Sequence, residues 1–181
     1  MGAIVATLLT TAAQSYDGYL FYEMKTTPRE NNKETFVTAG QAGKVHNIEY
    51  RGTVTPTKAP EGSKPRENAT WMKIVITKKV VDAASATMTA APSEMKLRDA
   101  AGRTWAVEAQ PVGDQPTDKL VVGREYRIEG LAIVPTPVAE EVQLSFRPSA
   151  YRSDTPTEDL FDREAMEKAE KDNEVLVFRR R

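Results

Sequence analysis

The chain has 181 residues, enough for one domain with extra segments and a proper apolar core. Its 25 basic and 26 acidic side chains nearly cancel, so no global field draws it to nucleic acid, and none is expected as a partner. Cysteine is absent. That excludes disulfides, thiol catalysis, cysteine-based zinc or iron–sulfur sites and a lipidated N-terminal cysteine.

Taken in order, the chain begins with an apolar run from Ala3 to Ala13 and a second from Tyr19 to Tyr22. Either run alone is short of the roughly 20 apolar residues of a bilayer span. Read through to Tyr22 they reach that length, interrupted only by Asp17 and flanked by interfacial-type tyrosines. Residues 1–24 are therefore expected to be a membrane anchor or signal-like segment. A buried N-terminal strand or helix is the alternative, because no basic residue precedes the run. Residues 25–35 are polar and read as a linker.

From Phe36 to Ala150 the pattern has the period of strands. Phe36-Val37-Thr38 opens a β region, with Gly40 and Gly43 as turn signals. Lys44–Val54 reads as one strand, with His46, Ile48, Tyr50 and Val54 on a single face. Pro56–Asn68 is a Pro/Gly-rich loop. Thr70–Val81 is the most apolar strand, with Met72, Ile74 and Ile76 inward. Ala83–Pro92 is turn-like. Glu94–Val107 is a hairpin whose turn spans Asp99 to Gly102. Gln110–Lys119 reads as a second loop and Arg124–Val134 as a strand stopped by Pro135 and Pro137. Val142–Phe146 is another short strand. Short strands between Pro/Gly loops, with no βαβ rhythm, predict an antiparallel sandwich over residues 36–150.

Residues 151–181 read as an acidic tail ending in three arginines. Phe161, Ala165 and Ala169 recur at four-residue spacing, with Thr157 as N-cap, and predict a short amphipathic helix over Thr157–Lys171. Val175–Phe178 is a brief strand candidate.

The features from Gly43 to Ser149 resemble the immunoglobulin-like extracytoplasmic domain of Gram-positive, actinobacterial-type cell-envelope proteins and lipoproteins. The matching stretches are Ile48–Val54, Met72–Val80, Leu97–Trp105, Leu120-Val121-Val122-Gly123, Ile128–Pro135 and Val142–Phe146. The lipobox cysteine of that family is missing here, and its pattern does not include the acidic helix. The resemblance implies a mostly β, immunoglobulin-like antiparallel sandwich, here with a short C-terminal helix. It also implies an accessory role without a catalytic motif.

The candidate chemistry is thin. His46 is the sole histidine and sits on an apolar strand face, as a packed residue would. Asp82, Glu94 and Asp99 lack the ligand ladder that calcium needs, and Asp99 reads as a turn residue. No catalytic, cofactor-binding or metal-ligating set is expected, and no cofactor. Trp105 is expected in the core. Trp71 shares its face with Lys73 and Val75, so it is either core or binding surface. The expected interaction surface is Trp71 with Lys64 and Arg66 of the Pro56–Asn68 loop and Phe161 of the tail. The function expected is that of a non-enzymatic, membrane-anchored or secreted envelope protein that contacts another envelope protein. An extracytoplasmic binder of a small ligand or ion is the alternative.

Overall fold

Side-chain alternation decides the core. In this computed structural model, which describes residues 33–63, 67–156 and 174–180, β4 (Ala69–Val80) buries Met72, Ile74, Ile76 and Val80 completely. Beside it β8 (Glu125–Pro135) turns Tyr126, Ile128, Ala132 and Val134 to the same interior. The two run antiparallel in continuous register from Ala69 opposite Pro135 to Lys79 opposite Glu125. β3 (Ile48–Thr57) flanks β4 on its other side, and β2 (Gly43–Val45) and β7 (Glu108–Val112) close the edges. The order of this sheet is β2-β3-β4-β8-β7.

The second sheet has the order β1-β10-β9-β5-β6, built from β1 (Lys33–Val37), β10 (Glu174–Phe178), β9 (Gln143–Arg147), β5 (Ser93–Arg98) and β6 (Thr104–Ala106). All its pairs are antiparallel except β1 with β10. Leu97, Leu144, Phe146, Leu176 and Phe178 face the first sheet and join its apolar side chains in one core. The chain is a β-sandwich. Phe146 lies at its centre, edge-on to Tyr50 at 5.5 Å and stacked on Phe178 at 5.4 Å. Such pairs add to the area term of burial.

Several sequence expectations need correction. Lys44–Val54 is not one strand. His46 and Asn47 both have positive φ, 52° and 57°, and form the two-residue turn of a β2–β3 hairpin in which Val45 pairs with Ile48. His46 is thus a half-buried turn residue, not part of an apolar strand face. Residues 108–112, partly assigned to a loop, form β7. Pro111 is tolerated there because β7 is an edge, where a missing N–H leaves no ladder unpaired. Lys33–Thr35 of the expected linker belong to β1, and Val175–Phe178 of the expected tail lie inside the second sheet. The expected helix Thr157–Lys171, the segment 1–24, and Lys64, Arg66 and Phe161 lie outside the described residues.

The Glu94–Val107 hairpin forms as expected. Asp99 accepts from the Arg103 backbone N–H at 2.9 Å and from Arg103 Nε at 2.7 Å, and Gly102 takes φ 80°. Gly102 is where a left-handed residue is needed, and a side chain there would be strained. Asp99 is turn chemistry.

Candidate functional site

The hairpin leads into a sheet switch. β6 belongs to the second sheet, yet β7, beginning two residues later, pairs with β8 in the first. The crossing at Val107 is pinned by its N–H, which donates to Met95 O at 3.1 Å. Gly130 makes room for it: a Cβ there would sit 2.7 Å from Val107 Cγ1 and 3.1 Å from the Glu108 carbonyl oxygen. Gly130→Ala is accordingly expected to cost about 1–3 kcal/mol, the range for overpacking a tight site. Thermal or urea unfolding checks it; unchanged stability would mean that the crossing is not closely packed against Gly130.

Because the chain leaves the sheet before Glu108, β7 covers β8 only as far as Leu131. Ala132 to Pro135 continue beyond it, paired only with β4 among the described residues. A cleft of about 500 Å³ opens at this point. Thr104, Trp105 and Ala106 form one wall and Leu131, Ala132 and Ile133 the other, with Trp71 and Pro60 at the rim. A second hollow of about 550 Å³ adjoins it and is lined by Lys58, Lys73, Gln110 and Glu129.

Both tryptophans are half-buried. Trp71 stands on the outer face of β4, between Thr57 and Ile133 in neighbouring strands. Trp105 lies opposite Leu97 and packs against the core, which agrees with the core expectation, but its remaining surface lines the cleft. The Arg103 guanidinium rests 5.8 Å from the Trp105 ring centre and is thereby shared between that ring and Asp99. In the second hollow Lys73 Nζ lies 3.0 Å and Arg127 2.6 Å from the two oxygens of Glu129. The hydrogen bond from Lys73 holds the Glu129 carboxyl below its ordinary pKa; burial opposes this and Arg127 adds to it. Glu129 is a fixed anion at neutral pH, not a proton donor.

Of the sequence-expected surface residues, the structure places Trp71 in this cleft. Asp82, Glu94 and Asp99 each engage a different protein partner: Asn47 with Ser85, Arg147, and Arg103 respectively. No group of three carboxylate or imidazole side chains suited to a metal forms among the described residues.

Sequence reading overlooked Lys78. It points inward from β4 between Ile76 and Val80 and is 1% exposed. Its Nζ donates to the carbonyls of Met88 at 2.6 Å and Ala90 at 2.9 Å. Burial pushes its pKa down to about 8. Tyr50 and Tyr126 flank it on the adjacent strands, and no carboxylate pairs with it among the described residues. Lys78 therefore latches the Ala83–Pro92 crossover, which carries the chain from one sheet to the other. Its parity with Ile76 and Val80 was visible in the sequence; its identity as lysine concealed it.

The fold and site together define a β-sandwich with an open, tryptophan-walled cleft at one sheet edge. No family model matches this chain, and no curated protein matches it. A solved structure, that of an uncharacterized beta-sandwich protein from Clostridium difficile 630, is similar with a TM-score of 0.42 and 12% identity, over 85% of this chain and 99% of that one.

Proposed function

We propose that the chain is a non-enzymatic binding module of the cell envelope, an immunoglobulin-like sandwich that receives another envelope protein at its tryptophan cleft. Two half-buried tryptophans walling an open cleft carry this reading. Tryptophan is over-represented where truncation costs binding energy, because it brings large apolar area with little side-chain entropy to lose. The immunoglobulin-like assignment is supported by strand order. β3-β4-β8-β7 follows the A-B-E-D sheet, and β6-β5-β9-β10 follows C′-C-F-G, in the same chain order.

Attachment to the membrane, or export, is assigned to residues 1–24, with the sandwich extracytoplasmic. Among the described residues no helix is long and apolar enough to cross a membrane. Protease protection on intact cells tests the location: the sandwich should be digested from outside, and full protection contradicts the assignment. Trp71→Ala tests the binding surface. Crosslinking and recovery of partners from native membranes should fall about tenfold or more, as for a truncated hot spot, while thermal stability changes by about 1 kcal/mol or less. Equal recovery with both forms contradicts it.

A second reading, an extracytoplasmic binder of a small ligand, draws on the cleft volume, which lies within the roughly 300–1,000 Å³ of small-molecule sites. A small ligand bound there would raise the thermal midpoint of the intact chain and of no Trp71→Ala variant.

A further inference from the structure

We infer that the partner binds as an added β-strand along the end of β8 that no described strand pairs on its β7 side, an inference that rests on the cleft being the binding surface. β8 is hydrogen-bonded to β4 as far as Pro135, whereas β7 leaves it at Leu131. In an antiparallel ladder alternate residues turn their N–H and C=O groups to either side of the strand. Within Ala132–Val134 some of those groups therefore point away from β4, where no described strand receives them. Across the cleft β6 pairs, among the described residues, only with β5, so Thr104–Ala106 offers a second edge that no described strand takes up. Backbone groups of this kind are satisfied by another extended chain, the mode of recognition known as strand addition.

The tryptophans fit the same occupant. Successive side chains of a strand point to opposite faces of its sheet. A strand laid beside Ala132 and Ile133 sends one side chain outward toward Trp71, whose β-strand neighbour is Ile133. The next side chain points inward toward Trp105, on the wall opposite Ala132. The slot thus selects an extended segment with two adjacent apolar residues. It also limits the segment to a few residues, since Pro135 has no N–H to offer and the chain turns there into the 3-10 helix Thr136–Val138.

The test uses the full chain and displayed random peptides of about ten residues, the length that spans such an edge with flanks. Selected peptides should carry adjacent apolar residues and lack proline there, and should bind at least tenfold more weakly to Trp71→Ala. N-methylation of one alternating set of peptide amides should abolish binding while the other set is tolerated, and amide exchange at Ala132–Val134 should slow in the complex. Peptides that require Trp71 yet tolerate methylation at every amide, with exchange unchanged, overturn strand addition and leave the cleft as a binding surface. Peptides indifferent to both Trp71→Ala and Trp105→Ala overturn the cleft reading itself.

Discussion

A chain ending at Asn173 is expected not to fold. The segment it lacks includes β10, which sits between β1 and β9 and buries Val175, Leu176, Val177 and Phe178. Each such side chain is worth about 1.5–3 kcal/mol on burial, so the four together supply about 6–12 kcal/mol. Whole domains are stable by only about 5–15 kcal/mol. The loss is compounded because, among the described residues, β1 pairs solely with β10, and Phe146 stacks on Phe178. The truncated chain should be insoluble or show no cooperative thermal transition. A sharp transition near that of the full chain would contradict the placement of β10. The practical consequence is that the acidic segment cannot be probed by cutting the chain before it; an internal deletion or charge-neutralising substitutions must be used instead.

The second large effect is a rise of stability with alkaline pH that depends on Lys78. Unfolded, its ammonium titrates near the ordinary 10.5; folded, burial brings it to about 8. Between those values the unfolded chain holds a proton that the folded chain has released, so stability climbs with pH across this window. Below pH 8 the folded state bears the full desolvation cost. From pH 7 to 10 the gain attributable to Lys78 is about 2–3 kcal/mol. Measurements should stop near pH 10, because burial also raises the Tyr50 pKa, and ionisation of that tyrosine in the unfolded chain works in the opposite direction. Urea unfolding of the native sequence and of Lys78→Met across this range isolates the effect. At neutral pH Lys78→Met relieves a buried charge but orphans the Met88 and Ala90 carbonyls, and the two changes oppose each other. The slope is the readout. An equal slope in both proteins would mean that Lys78 is solvated in the folded state.

Local chemistry made parts of this fold legible in sequence, and register made the rest illegible. The Asp99–Gly102 turn was readable because an Asx residue and a left-handed glycine act within a few residues. The inward rows of β4 and β8 were readable because both strands are long and alternate cleanly. The His46–Asn47 turn was not, since Lys44–Val54 shows alternation on both sides of it. Its one signal was Val45, apolar at a position that a continuous strand would have turned outward. β10 was recognised as a strand, but its place at the heart of a sheet depends on parallel pairing with residues some 140 positions away. The mixed face that Trp71 shares with Lys73 and Val75 leaves it open between core and surface in sequence, and the structure places it on the outer face of β4 beside the cleft. The cleft itself had no sequence signature, because it exists where β7 stops short of the end of β8. That depends on the close approach at Gly130, which looks in sequence like any other strand glycine.

The most direct test of the binding reading keeps Trp71 and places a photo-crosslinking amino acid at Thr104, an exposed residue of the cleft wall, and, separately, at Lys44 on the edge strand β2, which does not line the cleft, in the full chain in cells that produce it. A discrete crosslinked protein is expected from position 104 and not from position 44. Identical products from the two positions, or none from position 104, would contradict the cleft as the surface through which this sandwich works.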